Sequence, residues 1–158
     1  SIPDNITNSF PAYDYDVSYF KYLYYAVTPT VAIVDTVGDG SAIQVNFPMF
    51  NNEEYLELYR IFVAKADAVI YPEDAYDLSA AKRIDIIPTG TDIDINLGDI
   101  LLDTDGQSIK FNEPYKVYVA LKADFYPDYY SLSEPSAEFI LTAPLQVDTI
   151  ENTIIIIM

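Results

Sequence analysis

Apolar and polar residues alternate along most of the chain. Ile43, Val45 and Phe47 share one parity against Gln44 and Asn46, and Ile93, Ile95 and Leu97 alternate with Asp92, Asp94 and Asn96. Tyr115, Val117 and Val119 repeat the pattern within 115–122. A period of two marks strands with one buried face. Shorter apolar runs predict strands at 31–34, 83–87 and 138–142, and at 108–111 after the Asp105-Gly106 turn. Residues 55–65 read as a long strand, but Leu56 and Leu58 lie on one parity and Ile61 and Val63 on the other. A β-bulge near Tyr59-Arg60 is expected to reconcile them. Residues 66–82 lack a period and read as a long connection with one helical turn at 79–82. Residues 124–136, with Pro127 and Pro135, read as a loop.

The two ends carry further strand patterns. Tyr13, Tyr15, Val17 and Tyr19 alternate with Asp14, Asp16 and Ser18, and the apolar stretch continues past Leu23 and Tyr25 to Val27. After Pro144 come 145–150 and the run Ile154 to Ile157, read as a hairpin turning at Glu151-Asn152 or as one strand after a loop. Many short strands between turn signals predict an all-β sandwich. The expected organisation is an N-terminal arm at 1–28, a sandwich at 29–143 and a C-terminal strand or hairpin at 144–158.

Three stretches within 29–143 resemble a fibronectin type III domain, an immunoglobulin-like β-sandwich. Tyr59-Arg-Ile-Phe-Val63 looks like that family's strand C. Tyr115-x-Val117-x-Val119 looks like strand F, with Tyr115 in the place of the tyrosine-corner residue. Ser133-x-Pro135-Ser136 followed by Phe139-x-Leu141 looks like the F–G loop and strand G. The usual strand-B tryptophan and an Arg-Gly-Asp adhesion loop are both absent. The resemblance implies a fold and leaves function open.

Composition removes several kinds of chemistry. The 158 residues include no cysteine, histidine or tryptophan. That excludes disulfides, thiol nucleophiles, thiolate zinc sites and any relay through an imidazole. With 25 acidic and 8 basic residues, the net charge of -17 repels nucleic acid and anionic lipid. No apolar run reaches the roughly 20 residues of a membrane helix, so membrane insertion is not expected. The carboxylate pairs Asp14/Asp16 and Asp92/Asp94 lie on solvated strand faces, so the chain is not read as an enzyme. Calcium is the cation such oxygen-rich loops would take. The candidate ligands are Asp35 and Asp39 in one Asp-Gly loop and Asp103 and Asp105 in another. Tyr24-Tyr25, Tyr126 and Tyr129-Tyr130 are candidate platforms for sugar rings, or interface residues.

The terminal strands carry the leading functional expectation. A charge-free strand such as Thr153 to Met158 is an aggregation hazard unless something covers it. Donation of such a strand to a neighbour makes a head-to-tail homopolymer. The expected function is therefore a structural, self-assembling subunit of a filament or lattice, outside the cell or on its surface. Residues 13–27 are the preferred donor and 153–158 the second. Tyr13, Tyr15, Val17, Tyr19, Leu23, Tyr25, Ile154 and Ile156 are the expected interface. The alternatives are a carbohydrate- or protein-binding module of a surface protein, with recognition in 66–82 and 124–136, and a viral capsid or decoration protein. Ser1 at the start is read as a processed or a trimmed form, and Asn5-Ile6-Thr7 as a glycosylation-type sequon.

Overall fold

The computed structural model describes residues 30–33, 43–98, 102–124, 129–142, 146–150 and 153–157. Ten strands form in chain order. They are β1 (Thr30–Ile33), β2 (Ile43–Phe47), β3 (Leu56–Lys65), β4 (Ile84–Ile86), β5 (Ile93–Asn96), β6 (Pro114–Ala123), β7 (Tyr130–Leu132), β8 (Phe139–Ile140), β9 (Gln146–Ile150) and β10 (Thr153–Ile157). Every named strand pairing is antiparallel. No α-helix occurs among the described residues. Helical structure there is confined to three 3-10 turns, Glu53–Tyr55, Pro72–Ala75 and Ala80–Lys82. The turn at 80–82 falls where the sequence predicts one; the turn at 72–75 is an addition.

One sheet has the order β1-β2-β5. A five-stranded sheet has the order β4-β3-β6-β7, with β8 also on β6. Alternation decides how the two meet. Ile43, Val45 and Phe47 of β2 pack with Tyr59, Ile61 and Val63 of β3 and with Tyr115, Val117, Val119 and Leu121 of β6 in one buried cluster. The Phe47 and Tyr59 rings meet edge-on at 5.4 Å. Apolar faces of two sheets against each other are consistent with a β-sandwich. The third sheet is a two-stranded hairpin of β9 and β10, with Thr153 opposite Ile150. Of the two readings of the tail, the hairpin is the one found.

The bulge in β3 is real but lies earlier than expected. The register with β6 slips between Leu56 and Leu58, so Glu57 is the extra residue. Leu56 is thereby aligned with Tyr59, Ile61 and Val63 on the core face, while Leu58 turns to the other side. The predicted strand at 108–111 is not a strand. Ser108 and Phe111 make only isolated bridges, to Leu102 and Leu141. Conversely, Tyr130–Leu132 lies inside the predicted loop 124–136 yet pairs with Ala120–Lys122 of β6.

The outer face of the five-stranded sheet is also covered. Phe62 and Ala64 of β3, Tyr118 and Ala120 of β6 and Tyr130 of β7 form a second buried cluster with Ala75 and Leu78 of the 66–82 connection. The Phe62 and Tyr118 rings stack at 5.5 Å. The connection is therefore a strap over a face that water wets in many sandwiches.

Candidate interaction site

Arg60 organises the strap. It lies on the outward parity of β3, where a lone guanidinium under apolar cover is costly. Its fork meets the Asp85 carboxylate through Nε at 2.9 Å and Nη2 at 3.1 Å. Nη1 donates to the carbonyl of Ala75 at 2.7 Å and, at 3.4 Å, to that of Tyr76. The guanidinium lies 4.9 Å from the centre of the Tyr130 ring, a cation–π contact. Asp85 also accepts from Arg83 Nε at 3.0 Å, and Arg83 donates to the Leu78 carbonyl. Two cations thus tie one carboxylate on β4 to the strap at Ala75, Tyr76 and Leu78.

Strap and β7 meet in a cleft of about 200 Å3 lined by Pro72, Glu73, Tyr76, Tyr129, Tyr130 and Leu132. The Tyr76 and Tyr130 rings lie 4.8 Å apart, and the Tyr130 amide donates to the Tyr76 hydroxyl at 3.4 Å. The two loops expected to carry recognition are therefore brought together, and Tyr71 and Tyr76 remain exposed. Sequence reasoning singled out Tyr129-Tyr130 but missed Tyr76, Glu73 and Arg60. The only sequence signal for Arg60 was a charged residue inside the most apolar strand.

The candidate calcium loops divide. Asp35 and Asp39 lie outside the described residues. Asp103 is buried and Asp105 exposed. One Asp103 oxygen accepts from the amides of Asp105 and Gln107, each at 2.9 Å, and so closes its own turn. Its second oxygen is buried without a partner. Gly106, at φ +80°, completes the turn, with Lys82 beside it. Among the described residues, no three carboxylates converge as a metal site would need.

Of the expected interface, Tyr13, Tyr15, Val17, Tyr19, Leu23 and Tyr25 lie outside the described residues, as do Tyr24, Tyr126 and Asn5. Ile154 and Ile156 fall in β10, paired with Thr149 and Val147 of β9. Neither β9 nor β10 pairs with any other strand among the described residues. At the opposite side of β6 the edge is interrupted. Ser133 and Ser136 Oγ accept from the amides of Val119 and Val117, at 3.0 and 2.9 Å, where a regular partner would offer carbonyls. Glu134-Pro135 lies between them. Compared with known proteins, the chain matches no protein-family model and no curated protein.

Proposed function

We propose that this chain is a structural subunit that associates with copies of itself through terminal β-strands, outside the cell or on its surface. The observation that carries the reading is the β9–β10 hairpin. It bears Ile154 to Ile157 in succession and pairs with no other sheet among the described residues. A lone two-stranded hairpin is marginal in water, and its open edges offer unpaired amides and carbonyls. Pairing with a neighbour supplies what the hairpin lacks.

The framework proposed for residues 29–143 is of fibronectin type III character. In support, the segments resembling strands C, F and G are neighbours as β3, β6 and β8. Tyr115 also behaves as a tyrosine corner. Its hydroxyl accepts from the Lys110 amide at 2.9 Å, a few residues upstream.

The test is microscopy and sedimentation of the full chain beside Ile155→Lys and beside a variant lacking 1–27. Polymers lost in Ile155→Lys and retained without 1–27 make the hairpin the donor. The reverse makes 13–27 the donor, and a strictly monomeric full chain refutes the proposal. A second reading, a sugar- or peptide-binding module, draws on the tyrosine cleft between strap and β7. Saturable glycan binding by a monomer, lost in Tyr76→Ala, would favour it.

A further inference from the structure

We infer that the free edge of β5 is the acceptor for the β9–β10 hairpin of a second copy; this rests on the self-association proposed above. Among the described residues, four edges of the two packed sheets carry no paired strand. The β7–β8 edge is broken by Glu134-Pro135 and by serine hydroxyls standing in for ladder carbonyls, so a straight strand finds no continuous partner there. The β4 edge is three residues long, stops at Pro88, and has Asp85 at its centre, committed to Arg60 and Arg83. The β1 edge begins directly after Pro29.

β5 differs. It has four residues, with Ile93 buried, Ile95 half-buried and Asp94 and Asn96 exposed. Beside it the core is incompletely closed. Ile84 and Ile86 of β4 and Ile95 of β5 pack on the core cluster yet remain partly accessible, and Ile87 is 66% exposed. This isoleucine rim lies where the six-residue link 87–92 joins β4 to β5. Among the described residues the layers are also unequal, three strands wide against four, since β7 and β8 share one edge of β6. A hairpin added beside β5 widens the narrower layer and covers the rim with a strand of the same chemistry.

The chain's own hairpin cannot reach that edge. β8 lies three strand spacings from β4, roughly 14 Å. A hairpin beside β5 would stand farther out still and across the roughly 10 Å between layers. From Leu141 to Gln146 the chain has five residue steps, which span at most about 17 Å. The occupant is therefore a second copy. Donor and acceptor surfaces differ, so the contact is head-to-tail and propagates unless it closes into a ring.

The absence of cysteine allows a direct test. Full-length Ile155→Cys is mixed with full-length Asn96→Cys and, separately, with Ile140→Cys on β8, and each mixture is treated with a short bis-maleimide. Circular dichroism checks that each variant is folded. The expected result is a cross-linked heterodimer with Asn96→Cys and little with Ile140→Cys. Assembly with the opposite cross-linking pattern overturns the β5 edge but leaves self-association standing. A double variant, Asn96→Cys with Ile155→Cys, that cross-links only within one chain at high dilution overturns the second copy as occupant. A full chain that stays monomeric at every concentration sinks both ideas.

Discussion

At the scale of single residues, buried polar groups carry the sharpest consequences. Tyr59 is buried; its hydroxyl donates to Glu53 at 2.6 Å and accepts from the Phe50 amide at 2.9 Å. Burial first, then the Glu53 carboxylate, pushes its pKa well above the ordinary 10.0. Burial also raises those of Tyr115 and Tyr118. The unfolded chain loses these protons first. The folded state's advantage is thus complete below pH 10 and declines as pH rises above it, by about 1.4 kcal/mol per pH unit for each tyrosine still protonated. Denaturation between pH 8 and 12 should show this decline, and Tyr59→Phe should make it shallower. The same variant removes the hydroxyl's bonds to the Glu53 carboxylate and the Phe50 amide and should cost about 1–3 kcal/mol at neutral pH. Arg60→Met removes the fork from Asp85 and from two strap carbonyls. Because Asp85 keeps Arg83, the expected loss is about 2–3 kcal/mol, below the ~3–5 of a wholly orphaned buried pair. Urea denaturation measures it, and Arg60→Lys, which keeps charge without the fork, should recover only part.

At the scale of elements, the legible strands were those whose neighbours impose strict alternation. Tyr115, Val117 and Val119 announce β6 because one face meets the core throughout. The parity conflict in 55–65 correctly signalled a bulge, but Leu58 misplaced it. Leu58 is apolar for the second cluster, on the outer face. The strap was not legible, since Ala75 and Leu78 are spaced irregularly and acquire meaning only beneath Arg60 and Tyr130. β7 was hidden by its three-residue length between prolines. Asp85, the partner of Arg60, lies 25 residues away, a separation no local pattern encodes. The edge of β6 yields another prediction. Ser136→Ala should remove the acceptor of the buried Val117 amide, costing about 1–3 kcal/mol. Hydrogen exchange should then accelerate at Val117.

At the scale of the whole molecule, charge opposes the proposed association. A net charge of -17 makes copies repel one another, and salt screens that repulsion within about 10 Å at 0.1 M. Light scattering should therefore show assembly strengthening from 10 to 300 mM sodium chloride. Assembly weakened by salt would instead mean that contacts between opposite charges hold the subunits together.

The strap constrains the shape any such assembly can take. Sheets that stack through their faces build thick, laminated fibres with many layers. Here strap residues seal much of the outer face of the wider sheet, and its inner face is already occupied. On that sheet, growth is then left to the margins, along the direction of the backbone hydrogen bonds. A polymer grown along those margins would be a ribbon one molecule thick, its girth set by the subunit and its length by supply.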